Sequence, residues 1–258
     1  MKKQFFETET DGFYATYYEN PNGADHAVIG LFGDDPNDYM AKCGAKWLHR
    51  NGVNALCVSP GKKNYSHVNY PLERIESAIR WLKAHGNKKI GIMGMSTTAM
   101  VALAYMPFVY EHPTYWHKVE EETKGSGDIE RSTCLFIDSE KVRPHTEEEM
   151  IKVENIQGKL LLIGADDDSF WEAGKYVRRM AKRLEERPHT CEYEALAYEH
   201  GTHFVLPEGM LRIALPIGLK FVMRFVFKAA KDYPKECEAT RKDIDRRVTA
   251  ALKEWTAK

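Results

Sequence analysis

Ile90-Gly91-Ile92-Met93-Gly94-Met95-Ser96-Thr97-Thr98-Ala99-Met100 decides how the rest of the chain is read. Its first half is a β-rich apolar run, and its second half is a run of small and apolar residues suited to a helix. One residue, Ser96, stands at the change of period. A serine on such a strand-to-helix elbow has its hydroxyl exposed above the sheet, and the following amide points to where an oxyanion would form. The usual spacing is GxSxG; here it is GxSxT, with Thr98 in place of the second glycine. A plain helix N-cap is the other account of Ser96.

Working outward, short β-rich runs alternate with helical ones. Strands are expected at Phe13–Tyr18, His26–Phe32, Asn54–Ser59, Lys89–Gly94, Thr133–Asp138, Leu160–Ala165 and Cys191–Ala197. Helices are expected at Asp38–Arg50, Leu72–His85, Thr97–Met106 and Trp171–Glu186. Unbroken apolar strands such as Val28–Phe32 and Leu160–Ile163 suit a sheet covered on both faces. The alternation predicts an α/β fold, with a mainly parallel, doubly wound sheet in a single domain over 1–258. Two segments leave the rhythm. Residues 107–132, with Pro107, Pro113 and Glu120-Glu121-Glu122, suggest a short cap excursion. Residues 208–231 are densely apolar and admit three readings: a buried helix pair, a lid over an apolar pocket, or a dimer or membrane-surface contact. A helical C-terminus follows.

Composition narrows the function. The chain has 258 residues, 43% hydrophobic and 29% charged, which excludes collagen-like, disulfide-scaffold and disordered classes. Thirty-seven basic side chains against 38 acidic ones give a formal charge of -1, which argues against a nucleic-acid binder. Mean hydropathy is -0.52, and no apolar run has the length of a membrane span. Cys43, Cys57, Cys134, Cys191 and Cys237 form no CxxC pair, and Met1–Asp11 lacks a secretory apolar core. Reduced thiols in a cytoplasmic protein are therefore expected.

Three further stretches carry chemistry. Leu160-Leu161-Leu162-Ile163-Gly164-Ala165-Asp166-Asp167-Asp168 is a strand running into three carboxylates, one able to cap the next helix and another to serve a histidine. Tyr198-Glu199-His200-Gly201-Thr202-His203-Phe204 follows the last strand and offers His203 as a base. The order Ser96, Asp167, His203, each after its own strand, is that of an α/β-hydrolase triad. Leu31-Phe32-Gly33-Asp34-Asp35-Pro36-Asn37 follows the first buried strand. The amides of Asp34 and Thr97 are the expected oxyanion donors, although a simple capped turn fits the loop equally. Asp34 and Asp35 could join Asp166–Asp168 around a metal, but spacing supplies no histidine or glutamate to complete the set. No metal and no cofactor is expected.

Gly94-Met95-Ser96, the run from Ile163 to Trp171, and Gly201-Thr202-His203-Phe204 with Pro207 together resemble a known family. It is the acyl-CoA thioesterase and bile-acid-CoA:amino-acid N-acyltransferase C-terminal type of α/β hydrolase, near the dienelactone hydrolases. The resemblance implies Ser96 as nucleophile, Asp167 as acid and His203 as base. The Asp run is one residue longer than the family pattern, so counting from Gly164 selects Asp167 and counting back from Trp171 selects Asp168. The implied substrate is a small acyl ester or thioester, with transfer to an amine or alcohol, or a non-catalytic binding role, as alternatives.

Overall fold

Every side chain of the strand His26–Phe32 is buried, as its unbroken apolar run requires. The computed structural model containing it describes residues 2–21, 25–32, 38–58, 70–96, 144, 146–148 and 150–257. The chain divides into two compact units: Met1–Met106 with Gly209–Pro216 and Thr249–Lys258, and Pro107–Glu208 with Ile217–Val248.

In the first unit the strands are β1 (Lys2–Phe6), β2 (Ala15–Glu19), β3 (His26–Phe32), β4 (Asn54–Val58) and β5 (Lys89–Met95). They form one sheet in the order β1-β2-β4-β3-β5. β3 lies parallel to β4 and β5, whereas β1–β2 and β2–β4 are antiparallel. The sheet is therefore mixed, with its parallel half carrying the expected βα rhythm. β1 was not expected from the sequence. Its two lysines and five-residue length hide an edge strand that buries only Phe6.

A short helix α1 (Thr8–Asp11) precedes β2, and α2 (Tyr39–Arg50) and α3 (Glu73–Ala84) pack beside the strands. α3 buries Ile75, Ala78 and Leu82 at helical spacing. Phe6 stacks on Phe13 at 4.9 Å, and Trp81 meets Phe6 and Tyr17 edge-on. α2 approaches β3 closely because two side chains are missing: a Cβ on Gly44 would lie 2.2 Å from the Phe32 ring, and one on Gly30 2.4 Å. At the opposite end of the parallel strands, a buried amide ladder closes the edge. Asn54 accepts from the Asn20 amide and donates to Asn87 Oδ1, each at 2.8 Å, and Asn87 donates to Leu82 O at 3.1 Å.

In the second unit β6 (Lys159–Ala165) and β7 (Glu192–Tyr198) pair in parallel, with α4 (Ala173–Glu186) between them in sequence. Leu162 of β6 meets Val177 and Leu184 of α4 in a small core with Val153 and Cys191. Leu160, Leu161 and Ile163 are only partly buried, so the apolar run of β6 overstates its enclosure.

The segment 208–231 is not a buried helix pair. It breaks into α5 (Glu208–Ala214), α6 (Leu219–Val226) and α7 (Lys228–Asp232), with Gly218 at φ 78 between the first two. Leu219, Met223, Phe227 and Ala230 form one buried stripe, while Ile217, Phe221 and Phe225 are 90%, 75% and 75% exposed. The final helix α8 (Pro234–Ala257) is the expected helical C-terminus. Its Trp255 lies over Gly91 and edge-on to His26. The expected strand Thr133–Asp138, the helix Thr97–Met106 and the cap excursion 107–132 lie outside the described residues. Cys43, Cys57, Cys191 and Cys237 are buried free thiols. No described helix is long and apolar enough to cross a membrane.

Candidate active site

Ser96 follows the last residue of β5 and adopts φ 58, in the left-handed region. Serine gains nothing from that conformation, which costs about 1–3 kcal/mol and persists only where the surrounding fold imposes it. A helix N-cap residue normally sits in the extended region, so capping does not account for the observed angle. A sharp turn at the end of β5 does. Register adds a second point. Phe32 pairs with Met95, so β3 and β5 end side by side, and Ser96 leaves the sheet at the edge where β3 stops. Active sites of open α/β sheets collect at that carboxyl edge. Asp34 and Thr97, the expected oxyanion donors, and Thr98 lie outside the described residues.

The second unit holds the aspartate run and the two histidines that follow β7. Asp166, Asp167 and Asp168 are consecutive, yet each serves a different partner. Asp166 takes a forked pair of bonds from Arg178 of α4, at 2.5 and 3.2 Å. Asp167 lies 2.8 Å from His200 Nδ1. Asp168 lies 3.0 and 3.1 Å from His203 Nδ1 through its two oxygens, and its Oδ1 also accepts the Phe170 N–H at 2.9 Å.

The carboxylate on His203 is thus Asp168 rather than the expected Asp167. Successive side chains leaving β6 diverge, and the Asx turn onto the Phe170 amide swings Asp168 toward the histidine loop. The sequence count back from Trp171 carried this answer. None of the three aspartates caps α4, whose N-cap is Glu172 and has no side-chain cap bond.

The Asp168 and His203 side chains are 2% and 4% exposed, so the bond between them is shielded from water. His203 lies flat against Phe170, with centroids 4.0 Å apart and planes at 15°, and Trp171 meets it edge-on at 5.0 Å. Donation from Nδ1–H to Asp168 fixes the tautomer and leaves Nε2 as the basic nitrogen. The geometry suits a general base whose conjugate acid is stabilised by a buried carboxylate.

His200 completes a second pair that the sequence reading passed over. Its pKa is raised, chiefly by the hydrogen bond to Asp167, with Coulombic help from Asp167, Glu199 and Glu236. The signal was present in the spacing: two histidines three residues apart face two adjacent aspartates. Among the described residues, no three His, Cys, Asp or Glu side chains gather as a metal site.

The parallel βα architecture is that of the α/β-hydrolase fold. Residues 122–208 are similar to the BAAT / Acyl-CoA thioester hydrolase C terminal family. That stretch contains both His–Asp pairs and excludes Ser96. No curated protein matches the chain. Among solved structures, the chain is similar to MGS-M1, an α/β hydrolase enzyme from a Medee basin deep-sea metagenome library. Identity is 15% over 99% of this chain and 96% of that one, with a TM-score of 0.54, a likeness of fold. A sugar hydrolase from Lactococcus lactis aligns at 14% identity over 91% and 100% of the two chains, with a TM-score of 0.49. An α/β serine hydrolase homologue from Coxiella burnetii aligns at 12% over 83% and 93%, with a TM-score of 0.45.

Proposed function

We propose that the protein cleaves a small carboxylic ester or acyl thioester through Ser96, His203 and Asp168. The observation that carries this reading is the left-handed backbone of Ser96 at the end of β5. His203 Nε2 takes the Ser96 proton as Oγ bonds to the acyl carbon, whose carbonyl becomes an oxyanion. Asp168 stabilises the resulting imidazolium without taking its proton. The tetrahedral intermediate collapses as His203 returns the proton to the leaving alkoxide or thiolate, which departs. Water, deprotonated by His203, then releases the acid and restores the serine. The amides of Asp34 and Thr97 are the proposed oxyanion donors.

The family match supports an acyl-CoA-like thioester as substrate, and equally supports transfer to an amine. Adding an amine acceptor separates the two, since transfer accelerates thioester loss and yields an amide. The primary test is a fluorophosphonate probe together with turnover of a p-nitrophenyl acyl ester. Labelling is expected at Ser96, and Ser96→Ala is expected to lose both signals while remaining folded. Undiminished turnover in Ser96→Ala would remove that hydroxyl from the mechanism.

A further inference from the structure

The loop that carries His203 is tied to the end of β6 a second time. His200 lies three residues before His203, and its Nδ1 reaches Asp167 Oδ2 at 2.8 Å. Its ring stacks on Tyr233, with centroids 3.9 Å apart and planes at 16°. Its carbonyl accepts the Thr240 hydroxyl at 2.6 Å. Gly201, between the two histidines, has no room for a side chain: a Cβ there would lie 2.7 Å from that of Ala165, the last residue of β6. The loop backbone therefore rests directly on the strand end. Two consecutive rungs cross from the aspartate turn to this loop, Asp167 to His200 and Asp168 to His203.

We propose that His200 is a positioning residue: its bond to Asp167 clamps the loop on the edge of β6 and thereby fixes the His203 imidazole against Asp168. The proposal rests on the reading of His203 as the base. One tether leaves the loop free to pivot about the His203 side chain. A second tether three residues away removes that rotation. Because Asp167 and Asp168 are neighbours on one turn, slack in the first rung is passed to the second. Proton transfer is intolerant of such slack, since about 1 Å of misplacement can cost about a hundredfold in rate.

The charges around His200 reinforce the clamp. Asp167 faces it from the β6–α4 turn, Glu199 lies 3.8 Å from its Nε2 within the same loop, and Glu236 acts from α8. Tyr233, from the corner before α8, covers one ring face. All three charged neighbours favour the imidazolium, and they raise its pKa in the order given. As pH rises through that raised value the ionic part of the clamp is lost, while the neutral Nδ1–H still donates to Asp167.

The test uses His200→Ala and His200→Asn in the full chain, because the asparagine amide replaces Nδ1–H without a charge. His200→Ala is expected to lower kcat about tenfold, the loss that a fraction of an ångström gives, with KM unchanged. His200→Asn should recover most of it and lack the alkaline decline in kcat expected of the parent. Independently of turnover, the His203 Nδ1–H signal in imidazole-labelled NMR spectra should be protected from exchange in the parent and broadened in His200→Ala. A folded His200→Ala with the parental kcat and a sharp His203 signal would overturn the clamp. So would equal losses in both variants with that signal unmoved, which would mark a merely structural role. If the parent neither turns over esters nor labels at Ser96, the functional reading fails on its own, and the NMR comparison still decides the clamp.

Discussion

Phe170 lies face to face with His203, 4.0 Å between centroids, one residue beyond the serine that follows Asp168. The same short turn therefore supplies the carboxylate that holds the imidazole Nδ1 and the ring that fixes its plane. Aromatic pairs of this kind contribute about 0.5–1.5 kcal/mol beyond the area they bury. Phe170→Leu, which keeps the bulk and removes the planar partner, is expected to lower kcat by up to about tenfold and to shift the melting temperature little. Steady-state kinetics beside a thermal melt check both halves.

Asp167 and Asp168 separate by role. Asp168→Asn leaves His203 in the wrong tautomer and is expected to cost about four powers of ten in kcat. Asp167→Asn disturbs only the His200 rung, and its loss should stay near the tenfold level of His200→Ala. Turnover of one ester by the two variants decides between them. A larger loss in Asp167→Asn would reverse the assignment of the acid.

Ser96 stores backbone strain. Glycine occupies the left-handed region freely, whereas alanine at φ 58 keeps the penalty. Ser96→Gly is expected to be more stable than Ser96→Ala by about 1 kcal/mol, with both inactive. Denaturant unfolding of the pair measures it. Equal stabilities would mean that the turn relaxes without the serine.

The close seat of α2 on β3 predicts a purely structural lesion. Gly44→Ala places a methyl group 2.2 Å from the buried Phe32 ring. Because Phe32 is fully enclosed, the helix must shift, at about 1–3 kcal/mol. Urea titration should show this loss, and the remaining folded protein should keep its activity per molecule.

The His200–Asp167 pair also gives stability a pH dependence. A folded pKa raised above the ordinary 6.5 means that the folded chain binds the proton more tightly than the unfolded one. The contribution is fully present below 6.5 and is lost as pH rises through the raised value. Asp167→Asn should therefore destabilise the protein most on the acid side, with the gap to the parent narrowing as pH rises. Melting temperatures across that range provide the measurement.

Sequence alone determined the elements whose signal is local. The unbroken run of β3 fixed its ends at His26 and Phe32, and the helical runs Asp38–Arg50 and Leu72–His85 placed α2 and α3 to within a residue at each end. It also marked Ser96, because a change of hydrophobic period at one residue is visible without neighbours. Pairing across distance was not visible. Three identical carboxylates in a row present the same sequence signal, and only the direction in which each side chain leaves β6 sends them to Arg178, His200 and His203. The edge strand β1 was hidden for the same reason, since its lysines read as polar until Phe6 is seen enclosed by Phe13 and Trp81. Local periodicity is written along the chain, whereas the partner of a polar group is set by folding elements from far along the sequence into contact.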